Sequence, residues 1–176
     1  MAFENLLIEY GIIRFGRFSD GKGGWMPFKL NLEWMVSYPD VLKTAAFDVQ
    51  NHFRVHNESI NQFERILCPI DALPVATLVS ANTGIPVVYS RGQGTAATHD
   101  LVGAYDINHP TLLITTTHVS AHSGLSDWVE GANQVGLKVC YHLSLVEGFT
   151  ASGLGIATGN LTSISSLARL AAHGGL

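Results

Sequence analysis

Apolar side chains along this chain first recur at helical spacing and later gather into short unbroken runs, so two styles of structure follow one another. Glu4 to Tyr10 places Leu6, Leu7 and Tyr10 on one side and stops at Gly11, which predicts a short helix. Ile12 to Phe18 and Trp25 to Leu32 flank the cluster Asp20-Gly21-Lys22-Gly23-Gly24, which predicts a hairpin. Ser37 with Asp40 three residues later has the form of a capping box. It opens a long helix carrying Val41, Leu42, Ala45, Val49 and Phe53 at helical spacing.

From Arg65 the rhythm becomes strand, then helix. Arg65 to Cys68, Pro86 to Tyr89, Thr111 to Thr115 and Lys138 to Leu145 read as strands. Helices are expected over Ala72 to Ala81, ended by Asn82-Thr83-Gly84, and from about Leu125 to Val135, closed by Gly136. The strands are continuously apolar rather than alternating, which marks a parallel sheet buried on both faces. Repeated strand–helix units give an open α/β sheet with ligands at the carboxyl ends of its strands. Arg91 to Asp100 and the Gly-, Thr- and Ser-rich stretch Gly148 to Asn160 read as loops, and a last helix spans Ile164 to Ala172.

Length and charge narrow the class. The 176 residues fit one domain with a full core. Net charge is −4 with four lysines (Lys22, Lys29, Lys43, Lys138), which leaves no basic footprint for nucleic acid. Charged residues are 14% of the chain, against about 25% in an ordinary soluble domain. Mean hydropathy is positive, so surface is expected to be covered by self-association. Cys68 and Cys140 lie in apolar strands and read as inert core thiols in a reducing compartment. The N-terminus shows no signal-peptide pattern and no apolar run approaches the ~20 residues of a membrane span, so a cytoplasmic location is expected.

Thr111 to Glu130, TLLITTTHVSAHSGLSDWVE, carries the candidate chemistry. A buried strand, a hydroxyl-rich turn and an amphipathic helix with Leu125, Trp128 and Val129 on one side form the arrangement in which backbone N–H groups at a helix start bind phosphate. Where such a strand ends, a carboxylate would hold a ribose or a metal-bound substrate. Here it ends in Thr115, Thr116 and Thr117, so the shape of a site is kept without the charge to run it.

Five strings in this order resemble the orotate phosphoribosyltransferases, of the type I phosphoribosyltransferase fold family. Phe18 to Asn31, FSDGKGGWMPFKLN, is similar to that family's N-terminal hood hairpin. Leu67 to Thr77, LCPIDALPVAT, is similar to its pyrophosphate-facing loop and helix, and Ile85-Pro86 to the start of its next strand. Thr111 to Glu130 aligns without gaps to the phosphoribosyl pyrophosphate signature, and Gln134 to Val139 resembles the helix end and strand after it. The resemblance implies a mainly parallel open sheet flanked by helices, a hood over about 11–36, a core over about 37–147, a C-terminal loop and helix over 148–176, and a homodimer.

Against that pattern, the signature's paired acids fall on Thr116 and Thr117. A hydroxyl makes one neutral hydrogen bond where a carboxylate makes charge-assisted ones. The mobile loop's lysines fall on Gly92 and Thr95, leaving Arg91; the hood's lysine falls on Gly21, and an arginine becomes Glu33. Phosphoribosyl transfer needs cations for the leaving pyrophosphate and carboxylates with Mg²⁺ for the ribose. A catalytically degenerate protein is therefore expected, acting as a homo-oligomeric scaffold or partner-binding subunit without a cofactor. The alternative is an active, divergent orotate-type phosphoribosyltransferase of nucleotide metabolism.

The turn Ser120, Ala121, His122, Ser123 and Gly124 can still seat a phosphate or nucleotide through N–H groups and hydroxyls. His118 and His122 are four apart across a turn rather than on a helix face, so no metal site is expected, and His142 reads as a core histidine. No Gly-x-Ser-x-Gly elbow accompanies Ser120 or Ser123, which removes the basis for a nucleophile. Trp25, Met26, Phe28, Trp34 and Met35 make the hood unusually apolar, either as core or as a partner surface.

Overall fold

The computed structural model describes residues 2–21, 23–91, 100–106, 108–117, 125–147 and 156–173. Helix α1 (Phe3–Glu9) buries Phe3, Leu6 and Leu7, and Gly11 leaves it at a φ of 64°. Strands β1 (Ile13–Ser19) and β2 (Trp25–Leu30) form an antiparallel two-stranded sheet of their own. At its turn the Gly24 N–H donates to Asp20 Oδ1 at 2.7 Å. The second strand ends at Leu30, short of the expected Leu32, because Leu32–Ser37 winds into a 3-10 turn that buries Leu32 and Met35.

Helix α2 (Pro39–Val55) buries Val41, Ala45, Ala46, Val49 and Phe53. The expected capping box is absent: Tyr38 is the N-cap, it makes no side-chain cap, and Pro39 starts the helix with its φ already set. Asp40 accepts instead from the Tyr10 hydroxyl at 2.7 Å, and Tyr10 stacks on Tyr38 with centroids 4.4 Å apart. That bond holds the Asp40 carboxyl below its usual range and pushes the Tyr10 phenol up.

The main sheet has six strands in the order β5-β4-β3-β6-β7-β8. They are β3 (Arg65–Pro69), β4 (Val87–Ser90), β5 (Leu101–Val102), β6 (His109–Thr117), β7 (Leu137–Glu147) and β8 (Ala157–Ser163). All pairings are parallel except β4 with β5. Helices α3 (Leu73–Thr83), α4 (Leu125–Gln134) and α5 (Ile164–His173) complete the chain. Gly84 ends α3 in the left-handed conformation, φ 78°.

Side chains that alternate along the central strands feed two cores. Ile66, Cys68, Leu112 and Ile114 join the cluster that includes α1, α2, α3 and α5, whereas Leu67, Leu113, Val88 and Val139 pack with Trp128 and Ala132 of α4. This is the two-sided burial that continuous apolar runs call for. Two expectations change. Residues 157–160 belong to strand β8 rather than to a loop, paired along β7 from Tyr141 to Glu147. Cys140 is half-buried, whereas Cys68 is fully enclosed.

Candidate functional site

The chain leaves β3 toward β4 on one side and returns to β6 on the other, so the carboxyl ends of β3 and β6 form the crevice where an open α/β sheet places its ligand. The loop after β3 brings Asp71 there, and β6 brings Thr115, Thr116 and Thr117. Thr116 is 5% exposed and its hydroxyl donates to Asp71 Oδ2 at 2.6 Å. The base of the hairpin closes the other side. Leu30, Asn31, Leu32, Glu33, Asp71, Thr116 and Thr117 line a cleft of about 240 Å³.

The electrostatics of this cleft differ from those expected. Asp71 and Glu33 are the charged groups on its lining, and no lysine or arginine lines it among the described residues. Thr116 and Thr117 stand at the strand end as expected, but a carboxylate reaches that end from the neighbouring loop. The expectation of a site without carboxylates is corrected: the acid comes from β3's loop. Asp71 sits inside the string LCPIDALPVAT, where it is the one ionised side chain, and that isolation was its only sequence signal. Asn31 offers a second polar group, because its buried side-chain nitrogen has no hydrogen-bond partner among the described residues. A buried donor left so costs about 1–3 kcal/mol, which a ligand acceptor would relieve.

Below the cleft, Thr115 Oγ1 and His142 Nε2 are 2.8 Å apart in the buried interior, with Ser144 opposite Thr115 on β7. His142 is thus a core histidine in a polar pair. Burial, and secondarily the Asp71 charge, push the Cys68 thiol far above its usual range, so it is no nucleophile. Ser120 to Gly124, His118 and His122, and the loop positions Gly92 and Thr95, lie outside the described residues. Arg91 is exposed and its N–H donates to the Asp100 carbonyl at 3.0 Å. The hood residues divide: Trp25 and Trp34 are exposed, Met26 and Phe28 half-buried, and Met35 buried, none of them on the cleft.

Among the described residues no three of His, Cys, Asp and Glu gather closely enough to hold a metal. Toward the Mg²⁺ that the resemblance implies, the described strand end offers the Thr116 and Thr117 hydroxyls and the Asp71 carboxylate, which already accepts from Thr116. No helix among the described residues is long and apolar enough to cross a membrane.

No family model matches the chain. Its fold does match solved structures along nearly its whole length. The UMP synthase of Leishmania donovani superposes with a TM-score of 0.81 at 23% identity, covering 98% of this chain and 38% of that one. The chain therefore spans well under half the length of that protein. An orotate phosphoribosyltransferase from Aeropyrum pernix gives 0.76 at 12% identity, covering 97% and 99%. The fold is that of the type I phosphoribosyltransferases. A third such structure, the Mycobacterium tuberculosis orotate phosphoribosyltransferase in complex with 5-phospho-α-D-ribosyl 1-diphosphate, gives 0.69 at 15% identity, covering 94% and 96%. Within a phosphoribosyltransferase fold, the β1–β2 hairpin is the hood and the cleft beneath it lies between hood and sheet.

Proposed function

We propose that this chain is a phosphoribosyltransferase-fold protein without transferase chemistry, serving as a homo-oligomeric, partner-binding subunit. The observation that carries the reading is the cleft's charge: Asp71 and Glu33 face it and no described cation does. A pyrophosphate leaving group brings several negative charges. Each carboxylate about 6 Å from one of them opposes it by about 1–3 kcal/mol after solvent screening. Cationic stabilisation, the main electrostatic contribution to such a transfer, then has no source on the described lining.

Self-association is supported by the 14% charge content and by exposed Val36, Phe47 and Val55. An anion seat at Ser120 to Gly124 remains part of the proposal on sequence grounds, since those residues lie in the sequence between β6 and α4. The competing reading, an active orotate-type transferase, is favoured by the orotate phosphoribosyltransferases among its structural neighbours.

One assay separates the two. The protein is incubated with orotate, phosphoribosyl pyrophosphate and Mg²⁺, and pyrophosphate release is followed. No release above buffer is expected. Turnover that disappears in Thr116→Ala would establish the transferase reading. Light scattering at micromolar concentration should give a mass well above 19.0 kDa, and a value at that mass would remove the oligomer.

A further inference from the structure

The hood hairpin has two faces of different chemistry. Phe15, Phe18, Met26, Phe28 and Leu30 are half-buried and share one face, from which Phe15 and Leu30 pack against the main core, whereas Arg14, Arg17, Trp25, Pro27 and Lys29 are exposed on the other side. Arg14 lies directly opposite Lys29, and Ser19 opposite Trp25. A bulge makes this segregation work. Phe15 pairs with Phe28 and Phe18 with Met26, so Gly16 and Arg17 together face Pro27 alone. Gly16 accepts the positive φ of 153° that the bulge requires. By absorbing the extra residue, the bulge leaves both phenylalanines inward and both arginines outward.

The outer face is organised by two cation–π contacts. The Arg17 guanidinium carbon lies 4.1 Å from the Trp25 ring centre, and that of Arg14 lies 5.9 Å from Trp34. Trp25 is 59% exposed and Trp34 42%. Residues 12–36 hold four basic side chains (Arg14, Arg17, Lys22, Lys29) against two acidic ones, in a chain whose net charge is −4. Arg14, Arg17 and Lys29, none of them on the cleft lining, give the outer face a sign opposite to the molecule's.

We propose that the outer face of the hood is a docking surface for an acidic, partly apolar segment of another protein. A guanidinium stacked on an indole, as Arg17 is on Trp25, is held in place with its N–H edge open, the geometry that grips carboxylates through paired hydrogen bonds, and Arg14 stands within cation–π reach of Trp34. Tryptophan and arginine are also the side chains that dominate binding energy at protein interfaces. A second copy docked by a twofold axis would set Arg14, Arg17 and Lys29 against themselves, so charge complementarity selects a different, acidic chain. The inference rests on the partner-binding reading above and names the surface and chemistry of that partner.

Trp25 and Trp34 are two of the three tryptophans and the third, Trp128, is buried, so intrinsic fluorescence reports on this surface. The full chain is titrated with a peptide alternating glutamate and leucine. A saturable change in emission is expected, weakened about tenfold or more in R14E/R17E and by added salt. R54E, on the exposed flank of α2, should bind as the parent does. A peptide alternating lysine and leucine should bind R14E/R17E and not the parent, a gain that a misfolded variant cannot give. No saturable change, equal binding by R14E/R17E, or tighter binding of an oligothymidylate would overturn the proposal. Pyrophosphate release with intact peptide binding would sink the non-enzymatic reading and leave the surface. An inert chain that ignores the peptide would sink the surface and leave that reading.

Discussion

Restoring one acid to the end of β6 should weaken the protein, and the reason is Asp71. In Thr116→Asp a carboxylate replaces a hydroxyl that donates to Asp71 Oδ2 over 2.6 Å at a position 5% exposed. Two like charges about 4 Å apart repel by about 4 kcal/mol at an effective dielectric near 20. Asp71 is exposed, so solvent screening should reduce this to about 1–2 kcal/mol. Thr116→Asn is the control, since it keeps a donor and has nearly the same shape. Urea unfolding at pH 7 should therefore rank Thr116→Asp below Thr116→Asn by about 1–3 kcal/mol, with part of the gap from burying the new charge. Asp71→Asn should remove most of the difference, which makes the coupling measurable as a double-mutant cycle. The pH sign is fixed as well. The new carboxyl has its folded pKa raised above the unfolded value, so the penalty stands at neutral pH and is relieved as pH falls through the raised value. A gap that survives Asp71→Asn, or a Thr116→Asp protein as stable as Thr116→Asn at pH 7, would refute the assignment of Asp71 to this strand end.

Gly159→Ala would place a Cβ 2.6 Å from both His52 Nε2 and the Tyr141 hydroxyl, which are themselves 2.8 Å apart. Thermal unfolding should show a loss of about 1–3 kcal/mol, largely recovered by adding His52→Ala. Burial, and then the His56 charge, lower the pKa of His52. Its contribution to stability is therefore complete above the unfolded value of about 6.5 and declines as pH falls below it, so His52→Phe should flatten the melting temperature between mildly acid and neutral pH. Phe53 meets Phe63 and Tyr141 edge-on at 5.3 and 5.1 Å, and Phe53→Ala should cost about 3–5 kcal/mol in urea unfolding. Native protein treated with iodoacetamide should label at the half-buried Cys140 and remain unlabelled at Cys68 until denatured, as mass spectrometry of peptides would read.

The parts of the fold that announced themselves are those whose burial is local in sequence. Val41, Ala45, Val49 and Phe53 give α2 its period, and the unbroken apolar runs in β3, β6 and β7 follow from burial on both faces. Strand β8 was hidden because Gly159 and Asn160 have poor strand propensity, and the edge of β7 supplies the hydrogen bonds that hold them. Strand β5 has two residues, too few for any pattern. The Ser37–Asp40 cap lost to a better partner, the Tyr10 hydroxyl, thirty residues away. At the site, Thr116 and Thr117 were legible from the signature's register. Asp71 was not, because its meaning depends on a contact across 45 residues that no local spacing encodes. The hood's faces were also illegible by simple alternation, since Phe15 and Phe18 are three apart and yet share a side.

That last irregularity makes the hood unequal in its tolerance of different genetic changes. Point substitutions at Arg14, Arg17 or Lys29 alter the outer face by one charge at a time, and each side chain is exposed enough to be replaced at little cost to folding. Loss of Gly16 would be absorbed as well: it leaves Arg17 alone opposite Pro27 on a regular ladder, with both phenylalanines and both arginines on their present sides. A residue lost or gained elsewhere in β1 is another matter, because it turns one half of the strand over relative to the other and sends outer-face side chains inward. The hairpin can drift by substitution, whereas its length is free to change only where the bulge already holds a spare residue.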